Sequence, residues 1–159
     1  MVAALDVVAA WALYSLLAAR TRTGAALAAI LRVVYAAAFL AAVPNLLQAA
    51  RVASSSGQAA SGALSAIDAF KDAWAVALVV FAAHLIVLGV LLFREPWSHW
   101  LLGGLVALSG IGYAVDGFGR LLSRGYSADV ARFTFFGEVV LMIWLLWRAR
   151  RDAAIPLPW

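Results

Sequence analysis

Each of the five apolar runs of this sequence has an ionisable side chain in its interior. These side chains are Asp6, Arg32, His84, Asp116 and Glu138. An ionisable group inside hydrocarbon costs at least about 2.5 kcal/mol, so such groups normally face protein or water and mark a site by default. Carboxylates combined with an imidazole suit the binding of a cation, a proton or a small polar ligand.

The depth of the carboxyl groups is predicted by counting helical rise from the ends of the runs. Asp6, Asp116 and Glu138 fall within about one to two turns of the predicted outer surface, whereas His84 falls near the midplane. Asp6 is set apart from the other two because it lies close to the chain end. This arrangement predicts a polar pocket that opens outward and has His84 at its floor.

Two arginines accompany these carboxyl groups. Arg32 enters its run from the cytoplasmic side by about two turns, and we expect its side chain to snorkel back to that surface. Arg120 lies one turn beyond Asp116 on the same predicted helix, a spacing that suits an ion pair between them. We therefore include Arg120 among the candidate binding residues.

Two interpretations of the interior polar residues stay open. In the first, they hold a ligand, an ion or a proton, and a close pair of carboxyl groups beside His84 forms a proton relay. In the second, each polar group bonds a neighbouring helix and the set fixes the helix register. Taken alone, His84 is more typical of a satisfied interior imidazole than of a metal ligand.

Enzymatic motifs are missing from the sequence. It contains no HExxH, no GxSxG, no Walker A and no GxGxxG between a strand and a helix. No cofactor is predicted, and we expect no enzymatic activity. The enzymatic alternative is a metal-assisted intramembrane hydrolase in which His84, Asp116 and Glu138 hold an ion that activates water.

The chain that positions these residues is too apolar for a soluble domain. Of its 159 residues, 66 % are hydrophobic and 13 % are charged, whereas soluble domains contain about 25 % charged residues. A helix needs about 20 apolar residues to cross a bilayer. The sequence therefore predicts one all-α domain over residues 1–159, a polytopic transmembrane helix bundle. Its five predicted spans cover residues 2–19, 24–50, 72–93, 97–122 and 133–147, with a linker over 51–70 that includes a short interfacial helix over 63–70.

The fourth predicted span has small residues along one helical face. These are Gly103, Ala107, Gly110, Ala114 and Gly117. Their spacing of four, three, four and three allows a neighbouring backbone to approach closely. Because Ser109, Gly112 and Asp116 fall on roughly the opposite side, this helix is expected to contact protein on both faces and to be the centre of the bundle.

Charges at the ends of the spans predict location and partners. Six arginines mark one membrane face, and these are Arg20, Arg22, Arg94, Arg148, Arg150 and Arg151. The positive-inside rule places that face in the cytoplasm, so we expect an inner-membrane protein with its N-terminus outside and its C-terminus inside. The expected partners are the lipid bilayer and either a second copy of the chain or another membrane protein. Nucleic acid is not an expected partner. Binding to another membrane protein as an accessory subunit, through the Gly and Ala face, is the alternative function.

Several local strings resemble the bacterial domain-of-unknown-function 4386 family of membrane proteins. They are Ala69-Phe-Lys-Asp-Ala-Trp74, Phe81-Ala-Ala-His-Leu85, Trp100-Leu-Leu-Gly103, Gly110-Ile-Gly-Tyr-Ala-Val-Asp116, Gly137-Glu138 and Trp144-Leu-Leu. The resemblance covers nearly the whole chain and implies that His84, Asp116 and Glu138 occupy positions of the family's motif. It implies no activity. Ala82 and Ala83 stand where the family pattern typically has a glycine, and the sequence resembles a shortened member.

Overall fold

The structure is a computed structural model, and it describes residues 1–19, 21–54, 59–94, 100–123 and 125–153. These residues form six helices and contain no β-strand, which confirms the predicted all-α helix bundle. The helices are α1 (Val2–Leu17), α2 (Arg22–Ala53), α3 (Ala59–Arg94), α4 (Trp100–Leu122), α5 (Ala131–Thr134) and α6 (Phe136–Ala153).

The apolar helices indicate a membrane protein. Within the described ranges, α2, α3 and α4 are long and apolar enough to cross a bilayer, and α1 is a shorter apolar helix. The last helix, α6, has 18 residues but carries Glu138 in its first turn and Arg150 and Arg151 in its last. Both ends of α6 are therefore more polar than those of a fully apolar span.

The structure differs from the sequence prediction mainly between the second and third apolar runs. The predicted linker over 51–70 is largely helical, because α2 continues to Ala53 and α3 already begins at Ala59. Residues 63–70 belong to α3 and do not form a separate interfacial helix. Alanine, the best helix former, is frequent here and outweighs the serines and Gly62. Residues 97–99, the predicted start of the fourth span, and Arg20 lie outside the described residues.

The fifth predicted run is also divided differently. It is interrupted at Phe135, between α5 and α6, and α6 continues to Ala153, beyond the predicted end at residue 147. The short α5 packs beside α4. This break lets α6 begin two residues before Glu138, at the level of Leu105 and Ser109 of α4, which a Cβ on Gly137 would meet.

Helix α3 is the most enclosed helix of the bundle. It packs on α2 on one side and on α4 on the other, while α1 packs on α2 and α6 packs on α4. In the most apolar 18-residue stretch of α3, 50 % of the residues are buried, compared with 39 % in the corresponding stretch of α4. The fully buried side chains of Leu85, Leu88 and Leu92 form the core with Val106. The prediction that the fourth span is the centre was therefore wrong, because α3 holds that place.

The small-residue face of α4 lies directly against α3. A Cβ built on Gly103 would lie 2.6 Å from the backbone nitrogen of Phe93, and one on Gly110 would lie 2.8 Å from the carbonyl oxygen of Ala82. On the opposite face of α4, Ser109 donates a hydrogen bond to the backbone carbonyl of Thr134. The predicted contact of this helix with protein on both faces is confirmed.

We predict that Gly103→Ala destabilises the protein by about 1–3 kcal/mol, because the added methyl group forces the α3 and α4 backbones apart. Gly104→Ala is the matched control, since a Cβ at Gly104 has no atom within 4 Å. Thermal unfolding in lipid nanodiscs measures both variants. Equal stability of the two alanine variants would contradict the close approach.

Candidate functional site

The guanidinium group of Arg32 joins three helices. Its Nη2 donates a hydrogen bond to Oδ1 of Asp6 on α1 at 2.7 Å, and its Nη1 lies 3.3 Å from Nε2 of His84 on α3. The side chains of Arg32 and Asp6 are only 20 % and 11 % exposed. The guanidinium carbon also lies 5.7 Å from the centre of the Phe81 ring. The expected snorkelling of Arg32 was wrong, because a carboxylate and an imidazole meet its charge inside the bundle.

His84 is completely buried between α2 and α3. Its Nδ1 lies 2.8 Å from the carbonyl oxygen of Ala28. Because a carbonyl oxygen only accepts, Nδ1 carries the proton, and the lone pair of Nε2 faces the Nη1 donor of Arg32. Both ring nitrogens are therefore used within the protein, as expected for an interhelical contact. The prediction that His84 is the floor of an outward pocket was wrong, since it lines neither of the two cavities described below.

The interior polar groups lie at a common level. Arg32, His84 and Glu138 each stand 10 residues from an arginine at the same end of the bundle. Those arginines are Arg22, Arg94 and Arg148. At about 1.5 Å per residue, the three groups lie about 15 Å from that end. The ion pair brings Asp6 to the same level, so Asp6 and Glu138 lie deeper than the sequence predicted.

Glu138 and Tyr113 complete this group, which we name the central cluster (Asp6, Arg32, His84, Tyr113 and Glu138). The Tyr113 hydroxyl interacts electrostatically with the Glu138 carboxyl group, and the charges of Arg32 and Asp6 act on the same carboxyl group. Two polar atoms in the cluster are buried without a hydrogen-bond partner, namely Oε1 of Glu138 and Nε of Arg32. Sequence reasoning missed Tyr113. Its position three residues before Asp116, about one helical turn away, could have pointed to it.

A cleft of about 800 Å³ runs between α1 and α6. Arg32, Tyr113 and Glu138 line its polar end. Its walls are apolar side chains of α1 and α6, among them Leu13, Leu16, Leu141, Met142, Leu145 and Leu146. We name it the α1–α6 cleft. Few polar groups at one end of a mostly apolar cavity are typical of small-molecule sites.

Asp116 lies outside the central cluster and supports α5. Its carboxylate accepts hydrogen bonds from the Tyr126 hydroxyl at 2.6 Å and from the backbone N–H groups of Val130 at 3.0 Å and Ala131 at 2.6 Å. These N–H groups at the start of α5 have no carbonyl partner within that helix, so Asp116 acts as its cap. The predicted grouping of Asp116 with the other interior carboxyl groups was therefore wrong.

Tyr126 holds the Asp116 carboxylate from the connection between α4 and α5. Its hydrogen bond to this carboxylate raises the pKa of Tyr126 to about 12, with burial and the negative charge of Asp116 acting in the same direction. The phenol thus stays protonated at neutral pH and keeps donating. Tyr126 was not singled out from the sequence.

Arg120 contacts a different carboxylate from the one predicted. Its Nε lies 3.7 Å from Oδ1 of Asp72 on α3, and the side chains are 40 % and 71 % exposed. Asp116 already accepts three hydrogen bonds, which explains why Arg120 turns to Asp72. An exposed pair of this kind contributes little stability. The predicted pairing of Arg120 with Asp116 was wrong.

A second cavity, of about 640 Å³, contains both Asp116 and Arg120. Tyr113 and Phe135 line this second cavity as well as the α1–α6 cleft. The site residues predicted from the sequence are thus divided between two places. Asp6 and Glu138 belong with His84 in the central cluster, whereas Asp116 and Arg120 line the second cavity.

A metal site requires several donor side chains that converge on one point. In the part of the chain that the structure describes, no group of three or more His, Asp or Glu side chains is arranged to hold a metal ion. His84, the interior imidazole, has both nitrogens engaged. The donor set of a metal-assisted hydrolase is therefore not assembled by these residues.

Sequence comparison matches the chain to a protein family. A family model described as a domain of unknown function, DUF4386, matches residues 1–149. An uncharacterized protein of Archaeoglobus fulgidus is 29 % identical over 147 residues, which are 92 % of this chain and 78 % of that protein. No solved structure matches the chain.

We predict that Arg32→Met destabilises the protein by about 3–5 kcal/mol, because it leaves the Asp6 carboxylate buried without a counter-charge. Lys71→Met is the control, since Lys71 pairs with Asp68 at an exposed position and its loss should cost less than about 1 kcal/mol. Thermal unfolding in nanodiscs measures both variants. Adding Asp6→Asn to Arg32→Met should restore part of the loss. A cost for Arg32→Met no larger than that for Lys71→Met would show that the ion pair is not a stabilising tether.

Proposed function

This chain belongs to the DUF4386 family, and from its structure we propose that it is a membrane module that binds a small polar ligand at the central cluster. One observation carries the proposal. Arg32 and Glu138 both line the α1–α6 cleft, and each keeps one buried polar atom without a hydrogen-bond partner. Asp6 and His84, in contrast, have hydrogen-bond partners within the protein.

The energetic argument concerns the cost of unsatisfied polar atoms. A buried acceptor or donor without a partner costs about 1–3 kcal/mol, and more when the group is charged. Asp6 already neutralises Arg32 through their 2.7 Å contact. Glu138 is then the carboxyl group of the cluster without a salt bridge. A ligand that donates a hydrogen bond to Glu138 removes this cost, which is the physical basis for binding.

The two interpretations of the interior polar residues therefore apply to different residues. Asp6, Arg32 and His84 hold α1, α2 and α3 together, as interhelical contacts do. Glu138, with the remaining Nε of Arg32, supplies the binding groups. A cavity of about 800 Å³ falls within the range of small-molecule sites, about 300–1,000 Å³.

The nature of the ligand follows from the two charges at the polar end. A metal cation at Glu138 would be opposed by the neighbouring guanidinium group of Arg32, since like charges repel strongly where water is scarce. A neutral polar molecule meets no such opposition. We therefore favour a neutral polar ligand over a metal cation and propose binding without a chemical reaction.

The accessory-subunit alternative receives less support. The Gly and Ala face of α4 was its expected docking surface, but Gly103 and Gly110 are packed against α3 within the chain. A second copy or another membrane protein would have to use a different face. We also propose that the arginine-rich end of the bundle lies in the cytoplasm of the cell, so the N-terminus is outside and the C-terminus inside.

Native mass spectrometry of the protein from nanodiscs tests the binding proposal. We expect the wild type to carry an added mass that Glu138→Leu lacks, because leucine keeps much of the side-chain volume and removes the acceptor. Asp72→Asn is the control, since this exposed carboxylate lies outside the cleft, and it should keep the added mass.

Thermal unfolding of the same variants separates binding from a structural role. Removing an unsatisfied buried carboxyl group should leave stability unchanged or raise it. A bare protein in both wild type and Glu138→Leu, with the variant clearly destabilised, would show that Glu138 acts as an interhelical contact and not as a ligand group.

A further inference from the structure

We propose that the ligand is a neutral amphiphile whose hydroxyl group binds between Arg32 and Glu138 and whose apolar body lies in the α1–α6 cleft. This inference rests on the proposed function and names the class of its ligand. Three observations support it: the complementary unsatisfied atoms, the apolar walls, and the position of the cleft between two helices with exposed apolar faces.

The unsatisfied atoms define the polar end of the ligand. Nε of Arg32 is a donor and Oε1 of Glu138 is an acceptor, and both lack partners. A hydroxyl group donates and accepts at once, so a hydroxyl placed between the two side chains would meet both needs. An ammonium group has no acceptor for Arg32, and a carboxylate or phosphate has no donor for Glu138 and is repelled by it.

Ligand binding requires a small side-chain movement. Oε1 of Glu138 and Nε of Arg32 are enclosed as the side chains stand, although both residues line the cleft. The terminal torsion of a glutamate side chain is broad, so the carboxyl group rotates without leaving its rotamer. Binding at Glu138 requires this rotation to turn a carboxyl oxygen toward the cleft.

The walls define the apolar body of the ligand. From Glu138 to Arg148 the cleft follows 10 residues of α6, or about 15 Å at the rise of an α-helix. Over this distance Leu141 and Leu145 of α6 face Leu13 and Leu16 of α1. The cleft therefore accepts a slender apolar group about half a bilayer in length.

The position of the cleft gives the ligand a route from the bilayer. The helices α1 and α6 are held by different neighbours, α2 and α4. Both carry large apolar side chains that are well exposed outside the cleft, such as Trp11 (70 %) on α1 and Ile143 (58 %) on α6. These faces suit contact with lipid, in which an amphiphile dissolves and from which it enters between the helices.

The polar end of the ligand alone is expected to determine which amphiphile the cleft prefers. Lipid tails are as apolar as the cleft walls, so moving an apolar chain from the bilayer into the cleft changes its free energy little. The hydrogen bonds to Arg32 and Glu138 are then the main difference between ligands. Probes with one chain and different polar ends measure this difference directly.

The experiment is photo-crosslinking of the full chain in nanodiscs. Three probes share a dodecyl chain with a diazirine and end in a hydroxyl, an ammonium or a carboxylate group. The hydroxyl probe should label cleft residues of α1 and α6 about tenfold more than either charged probe, since one hydrogen bond to a charged group corresponds to about that factor. Unlabelled dodecanol should compete for this labelling.

Two variants and one matched control locate the probe. Glu138→Leu should reduce labelling by the hydroxyl probe about tenfold. Leu145→Trp, which fills the cleft, should reduce labelling by all three probes. Ile143→Trp places the same bulk on α6 outside the cleft lining and should leave labelling unchanged.

The outcomes separate this inference from the proposed function. Equal labelling of the wild type by the three probes would overturn the hydroxyl assignment, whatever the variants do. Equal labelling in Leu145→Trp and Ile143→Trp would overturn the location in the cleft. If native mass spectrometry shows a mass lost in Glu138→Leu while the hydroxyl probe has no preference, the ligand site stands and the neutral amphiphile is wrong.

Discussion

The position of the first three helices depends on a single buried charge. A guanidinium group inside an apolar bundle is stable only when other protein groups meet it, and Arg32 obtains a carboxylate from α1 and an imidazole from α3. Those contacts fix both the rotation and the relative height of α1, α2 and α3. Without them these apolar helices would have little to select one register, since lipid and leucine side chains offer similar surroundings.

The close contact between α3 and α4 determines where space remains. Because Gly89 and Gly103 allow the two backbones to meet directly, these helices leave little room between them. α6 packs on the other side of α4, starting beside Ser109. α1 is held on α2. The cleft lies between α1 and α6, and the polar cluster that unites the helices also forms its end.

Polar residues in this protein fall into two physical classes. Asp6, His84 and Asp116 have partners that satisfy them within the chain, so their main effect is on helix position. Glu138 and the Nε of Arg32 keep unsatisfied capacity beside a cavity. Burial alone does not separate these classes, since His84 is the most buried of them and is fully engaged. The balance of hydrogen-bond donors and acceptors around each group separates the two classes.

The helical class, the apolar character and the set of interior polar residues were determined by the sequence, because they follow from local composition and from the spacing of residues along one helix. The glycine face of α4 is the clearest example, since Gly103 and Gly110 share a face in any α-helix. The partners of Arg32, Asp116 and Arg120 were decided only by the tertiary structure. Pairing between helices depends on their rotation and height, and depth counted from predicted boundaries shifts when a helix such as α3 begins at Ala59 and not at residue 72. Asp116 shows the same limit, because its partners lie in a connection whose path no helical periodicity describes.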